Sequence, residues 1–542
     1  MPRAWSNVIL TFIEMTVAIQ PNQQLDPRKL EARTQAIGRE LFANAQREHA
    51  HLSVLNRWTA QVLSWCLADP AVKSAVLRFI DVLPSLTTPH QIARHVREYF
   101  PTHDLRLPKA LRLGAGLARS GLLTQGAVSA MVHQLVEHVA RQFIAQPHPE
   151  GVKQIIHALA ERGATCSFDV LGEQVLSESE ADQYVTQCTT LLREMSSSYA
   201  GLTVATCGPR ANLSIKPSAL TPRFDPISPT QSIERASRRL MPLIELAAAS
   251  GAMINLDMEQ YELRDLTLAL VKRLLTHPPE NSTSSLGVVI QAYLCDAEPV
   301  TEELLTWLAS HERFVTVRLV KGAYWDSEVA QARARYWPVP VYDEKAATDL
   351  TFERLTRRLL SAHPLVTTAI ASHNVRSIAH AMVVAETLGL AKEQLEFQLL
   401  YGMGESLRAA IVARGYPVRI YTPVGELIPG MAYLVRRILE NTSNDSFLRQ
   451  DFFQERSADE LLRQPQLSSP RADLVPKGLG PREHGTRCEA GFGATTVFIC
   501  VIICSNLWNQ SVLKQLDVLV AHVQDDAIRE NVFHRRHPNR VA

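Results

Sequence analysis

Several things this chain lacks narrow the field before anything present is read. It has almost no net charge, 56 basic side chains against 55 acidic ones. That balance gives no electrostatic case for a nucleic-acid partner, which would need a basic face. No run of about eighteen apolar residues is available to cross a bilayer, and the nearest, TTVFICVIIC at 495–504, is too short. The opening stretch MPRAWSNVILTFIEMTVAIQ is apolar in part but holds Glu14, and it lacks a basic start, a clean apolar run and a cleavage site. It is therefore not read as a signal peptide. The cysteines (Cys66, Cys166, Cys188, Cys207, Cys295, Cys488, Cys500 and Cys504) are scattered, without a Cys-x-x-Cys or other zinc spacing. No metal site and no disulfide framework is expected, and the thiols suit a reducing, cytoplasmic compartment. Glycine, at 24, is scarcer than proline, at 30, so many elements should start or stop sharply.

The most informative stretch present is RLVKGAYWD, residues 318–326. An apolar run, FVTVRLV, carries Arg318 inside it and breaks into Lys321-Gly322-Ala323, then Tyr324 and Trp325. A charge in a buried strand is costly unless it meets a counter-charge or an anionic ligand. Glycine permits close backbone approach, and the two aromatics can stack on a flat ring. These parts suit an anionic aromatic cofactor at a strand end. They equally suit a strand with an ion-paired arginine and core aromatics.

Residues 28–145 carry apolar positions at spacings of three and four, as in Leu52, Leu55, Trp58, Val62, Trp65 and again Val72, Ala75, Val76, Phe79, Ile80, Leu83. That spacing predicts helices. Beyond about 152, eight β-rich runs alternate with helical stretches: 166–172, 212–219, 253–259, 287–293, 315–322, 367–373, 396–402 and 418–425. Eight such repeats predict an α/β chain with a closed (β/α)8 TIM-like barrel, preceded by a helical arm. The expected limits are an N-terminal segment 1–27, an arm and linker 28–150, the barrel 151–465 and an atypical tail 466–542. Lys216, Asp257, Gln291, Arg318, Lys321, His373 and Tyr421 each fall within or at the C-terminal part of a run, the face where such barrels build their sites.

A helical pattern at 431–442 carries Arg436 and Arg437 on an otherwise apolar face. Arginine forks bind carboxylates bidentately. Glu440 is placed to hold one fork and Tyr433 lies one turn earlier. A surface ion pair is the plainer reading of that motif alone. Asp257 likewise admits a structural pair with Lys216 or an arginine.

RLVKGAYWD resembles the proline dehydrogenase family, the FAD enzymes of proline catabolism that include the proline-oxidising half of bifunctional proline utilisation A. Further segments match in the same order: LSIKPSAL (213–220), NLDMEQYELRDLT (255–267), VVIQAY (288–293), ASHN (371–374), EFQLLYGMGE (396–405), RIYTPVGEL (419–427) and AYLVRRILENTSNDSF (432–447). The resemblance implies FAD and oxidation of L-proline to 1-pyrroline-5-carboxylate by hydride transfer to flavin N5, with electrons passed to a quinone. It places Gln291, Arg318, Lys321, Gly322, Ala323, Tyr324, Trp325, Ser372 and His373 around FAD. It gives Arg436, Arg437 and Lys216 to the substrate carboxylate, Tyr421, Tyr433 and Leu400 to the proline ring, and Asp257 to orienting the charged groups beneath it. No general base is named. The quinone implies peripheral contact with the inner face of a membrane, without a visible anchor, and a homo-oligomer is left open. Two positions depart from the family pattern. Ser372 stands where threonine is usual. Pro217 stands where leucine is usual, removing a backbone N–H beside Lys216 if that segment is strand.

Past about residue 468 the family pattern stops, and no Gly-rich cofactor turn or convincing catalytic cysteine of an aldehyde dehydrogenase module follows. A truncated or frame-shifted product, or a monofunctional enzyme with an unrelated tail, is the expectation. Two readings compete with the enzyme: a catalytically impaired flavin- or proline-binding remnant, and a Schiff-base aldolase using Lys216 or Lys321.

Overall fold

The structure, a computed structural model, describes residues 26–49, 70–100, 122–172, 175–278, 286–425 and 458–467. The opening segment 1–25, the apolar series Leu52–Trp65, the helical pattern at 431–442 and the tail from 468 lie outside the described residues.

Eight parallel strands close into a barrel in sequence order: β1 (Ala164–Val170), β2 (Asn212–Ile215), β3 (Met253–Leu256), β4 (Leu286–Gln291), β5 (Val315–Val320), β6 (Val366–Ala371), β7 (Leu395–Leu400) and β8 (Val418–Val424), with β1 pairing β8. The (β/α)8 expectation therefore holds. The strands end earlier than the sequence runs suggest, most clearly at β2. The run read as 212–219 stops at Ile215, and Pro217–Ala219 form a 3-10 turn with Lys216 as its N-cap. Proline suits that first position, where its fixed φ helps and its missing N–H would have no ladder partner. The concern that Pro217 removes a strand hydrogen bond beside Lys216 is corrected: no strand runs there.

Alternation along the strands divides two environments. Phe168, Leu213, Ile254, Val317, Ile370, Phe397 and Ile420 point out beneath the helices and are fully buried or nearly so. The opposite parity points into the barrel and is unusually polar. Arg318 on β5 reaches Ser167 on β1, Ser214 on β2 and Gln398 on β7, which only an inward side chain can do. The main apolar core thus lies between strands and helices, while charge pairs occupy much of the interior: Asp169–Lys216 at 2.6 Å, Asp257–Arg318 at 2.6 Å and Glu396–Arg419 at 2.8 Å. Each charge meets an opposite one, which is the condition for tolerating it there.

Before the barrel, helices span Pro27–His49, Pro70–Val82, Pro89–Tyr99 and Leu122–Ala140. The first packs on the barrel helices Val375–Thr387 and Glu405–Ala413 and on the short helix Ala458–Leu461. A Cβ on Gly38 would collide with the Leu462 side chain, so glycine permits that close approach. Arg376 ties these parts together. Its guanidinium donates to both oxygens of Glu31 at 2.8 Å, to Glu353 at 2.8 Å and to the Leu462 carbonyl at 2.8 Å.

His380, one turn on from Arg376, is 3% exposed. Burial, with the charges of Arg357 and Arg376, pushes its pKa down to about 3. The unfolded chain would take up a proton near pH 6.5, whereas the folded chain resists it until far lower pH. Stability is therefore unaffected by this group above pH 6.5 and is lost as pH falls below it, by about 1.4 kcal/mol per pH unit. Denaturant titrations between pH 7.5 and 4.5 should show that loss in the parent, and a slope smaller by about one proton in His380→Leu.

Candidate active site

The C-terminal mouth of the barrel gathers the expected cations and their partners. Asp257, just past β3, is held by its backbone N–H to the Ile215 carbonyl at 2.9 Å. Its Oδ1 accepts from Arg318 Nη1 at 2.6 Å and its Oδ2 from the Tyr421 hydroxyl at 2.7 Å. Arg318 also donates from Nε to Gln398 Oε1 at 2.6 Å and from Nη2 to Ser214 Oγ at 2.9 Å, with its guanidinium 5.1 Å from the Tyr421 ring centre. With Ser167, whose Oγ accepts from Nη2 at 3.3 Å, five inward side chains on different strands or strand ends fix one arginine.

Lys216 donates to Asp169 Oδ1 at 2.6 Å. Burial raises the Asp169 pKa against the opposing pull of Lys216. Burial, reinforced by the charges of Asp169 and Asp257, holds the Tyr421 hydroxyl well above its ordinary value. Tyr421 is therefore a protonated phenol donating to Asp257 at neutral pH, and not a base. The turn that presents Lys216 is itself clamped: Glu259 accepts from Ser218 N at 3.0 Å and Ser218 Oγ at 2.5 Å. Gln291 Nε2 donates to the Glu259 carbonyl at 3.2 Å, whereas its buried Oε1 has no partner among the described residues.

The Lys321–Trp325 turn follows β5 at the rim. Gly322 has φ +139°, and a Cβ there would strike the Tyr293 ring, so what this backbone approaches closely is Tyr293. Gly322, Ala323 and Trp325 are exposed and Tyr324 half-buried. Trp325 donates from Nε1 to the Tyr342 carbonyl at 2.8 Å while its ring stays 40% exposed. Lys321 pairs with Asp349 at 2.5 Å, and burial lowers its pKa. On the next strand end, Ser372 Oγ accepts from Asn374 N at 3.1 Å, and Asn374 caps the helix Val375–Thr387 through Ser377 N at 2.9 Å. His373 Nε2 accepts from the Leu400 backbone N–H at 3.2 Å, which makes that nitrogen the unprotonated one in the neutral ring. Leu400 and Tyr421 are neighbours across β7 and β8, both partly buried at the mouth.

Lys216, Asp257, Arg318, Tyr421 and Leu400 thus fall at one mouth, with Gln291, Ser372, His373 and the 321–325 turn at the ends of β4, β6 and β5. Arg436, Arg437, Tyr433 and Glu440 lie outside the described residues. The residues missed from sequence are the partners: Asp169, Glu259, Gln398, and the serines Ser167 and Ser214. For all but Glu259, which lies past the end of β3, the signal was present as polar residues at inward parity in strands β1, β2 and β7.

The proline dehydrogenase family model matches residues 152–450, more than half of the chain and all of the barrel. The chain belongs to the proline dehydrogenase family. A second model, the proline utilization A N-terminal domain, matches residues 31–143, the helices before the barrel. The bifunctional protein PutA of Klebsiella aerogenes is 32% identical over 372 residues, 67% of this chain and 28% of that protein. Proline dehydrogenase 1 of Bacillus subtilis is 27% identical over 310 residues, 57% of this chain and 89% of that protein. Among solved structures, proline utilization A from Bdellovibrio bacteriovorus inactivated by N-propargylglycine aligns with TM-score 0.73 at 34% identity, covering 84% of this chain and 46% of that one. The matched part of this proline dehydrogenase family chain therefore spans under a third of the bifunctional protein and under half of the solved one.

Proposed function

We propose that this chain oxidises L-proline to 1-pyrroline-5-carboxylate with FAD as its cofactor. The observation that carries the reading is the Arg318–Asp257–Tyr421 cluster beside Lys216, at the mouth of a barrel belonging to the proline dehydrogenase family. The residues present fit a flavin. Gln291 Oε1 is a buried acceptor with no partner among the described residues, of the kind a flavin ring N–H requires. Lys321 supplies a cation at the rim, and Ser372 and His373 precede a capped helix N-terminus, where phosphate oxygens are favoured.

FAD, when bound, supplies the hydride acceptor. The chain's own residues supply position and charge. Lys216 offers an ammonium to the substrate carboxylate, joined by Arg436 and Arg437. Leu400, Tyr421 and Tyr433 wall the proline ring. Asp257 holds both Arg318 and the Tyr421 hydroxyl, so the arginine's charge and the ring wall move as one unit. Arg318 keeps a fixed positive charge where negative charge develops, without reorganising at the moment of reaction. Tyr421 is held protonated and so does not take the proton that the substrate amine must lose.

The family reading extends to a quinone as electron acceptor, to a cytoplasmic location with peripheral contact at a membrane's inner face, and to a homo-oligomer. Among the described residues no helix is long and apolar enough to cross a membrane. Visible spectra of the purified protein before and after anaerobic L-proline test the proposal. The visible absorption bands of the flavin should bleach with proline. Flavin that stays oxidised would favour a binding remnant, and absence of flavin would overturn the reading.

A further inference from the structure

Below Arg318 the barrel interior continues as one chain of hydrogen bonds. Gln398 Oε1 accepts from Arg318 Nε at 2.6 Å, and Gln398 Nε2 donates to Glu396 Oε1 at 2.8 Å. The same Glu396 oxygen accepts from Arg419 Nε at 2.8 Å. Arg419, 1% exposed, then donates to the carbonyls of Arg210 at 2.7 Å, Pro209 at 2.8 Å and Cys166 at 3.2 Å, which fastens it to the opposite end of the barrel.

The chemistry of this chain leaves Gln398 one orientation. Arg318 can only donate, so the amide oxygen must face it. The Glu396 carboxylate can only accept, so the amide nitrogen must face it. The amide bridges a cation and an anion without adding a charge of its own. A carboxylate in its place would sit against Glu396, and an apolar side chain would leave the buried Arg318 Nε without its acceptor and Glu396 Oε1 with Arg419 alone.

We propose that Gln398 is a positioning residue for the oxidation, holding the Arg318 guanidinium in the plane and at the depth from which it acts on the flavin. Gln398 does not touch the substrate; it acts through Arg318. The inference rests on the proposed flavin function, in which Arg318 stabilises charge on the cofactor. It predicts that the damage from losing Gln398 is read at the flavin and not only in stability.

The test compares the parent with Gln398→Met, which keeps length and burial but neither polar end. Midpoint potentials of the bound flavin are measured by chemical reduction without proline, alongside kcat and KM. In Gln398→Met the reduced flavin should be favoured about tenfold less, a fall of about 30 mV for a two-electron couple. Rate measurements should show kcat falling about tenfold with KM little changed, the split expected when an interaction specific to the transition state is lost. Should Gln398→Met fail to fold, Gln398→Asn keeps the polarity but is too short for both neighbours, and the same downward shift is expected. Arg318→Lys removes the Nε donor, so adding Gln398→Met to it should change the potential little further. An unchanged potential in a folded, flavin-loaded variant overturns the inference, as does a shift of equal size in the Arg318→Lys background. A parent that holds flavin but ignores proline overturns the proposed function while leaving the potential test in force. A parent without flavin overturns both.

Discussion

Arg318→Met should be the most damaging single substitution in the described barrel. Its kcat/KM for proline is expected to fall by about a hundredfold to a thousandfold, the loss typical when one fixed donor to developing charge is removed. Stability should fall with it. Methionine fills the space but leaves Asp257 without its buried counter-charge, and breaking such a pair by removing one partner costs about 3–5 kcal/mol. Ser214 and Gln398 lose their donor as well. Arg318→Lys separates the two effects. A lysine keeps the charge and can satisfy Asp257, but one ammonium cannot replace a fork that reaches Asp257, Gln398 and Ser214 together. Lysine should therefore recover most of the lost stability and little of the lost rate. Anaerobic stopped-flow bleaching by proline and denaturant titration of each variant measure the two quantities. Equal recovery of both by lysine would show that charge alone, and not the aim of the fork, is what the barrel supplies.

Much of this architecture was legible in the sequence because the barrel's repeat is legible. Each strand keeps an apolar outward row, as in Phe397 and Leu399 or Val317 and Leu319, and that row survives whatever the inward row does. Strand ends were less legible. They are set by where the backbone turns away; at Lys216-Pro217 the proline marks the point, but an apolar run without such a residue gives no sign of it. The cations of the site could be read one by one, since a lysine or arginine inside an apolar run has no packing reason to be there. Of their partners only Asp257 could, as a pair with Lys216 or an arginine, and which of the two it takes could not. Asp169 meets Lys216 across 47 residues and Asp257 meets Arg318 across 61, so pairing depends on barrel closure and register. Arg419 and Glu396 sit inside the quoted family segments RIYTPVGEL and EFQLLYGMGE, yet nothing local shows that they form an ion pair towards the barrel's other end.

Asp169 shows what such a hidden partner does. It is fully buried, it carries the negative charge nearest Lys216, and it helps keep the Tyr421 phenol protonated. Asp169→Ala leaves a buried ammonium without its carboxylate, and the fold should lose about 3 kcal/mol or more. Lys216 should then swing away from the mouth, and KM for proline should rise about tenfold, equivalent to about 1.4 kcal/mol of lost carboxylate binding. Asp169→Asn keeps the acceptor oxygen and removes only the charge. Lys216 then stays aimed while its positive potential is less neutralised, so KM should stay level or fall. The same substitution takes one negative charge from beside Tyr421, which lowers the phenol's pKa and should move the alkaline limb of the pH–rate profile toward lower pH. Steady-state kinetics and pH profiles of the two variants decide the point. If alanine and asparagine raise KM alike, the charge of Asp169 matters and its geometry does not. If neither changes KM, Lys216 is aimed by its clamped turn, through Ser218 and Glu259, and Asp169 serves the fold alone.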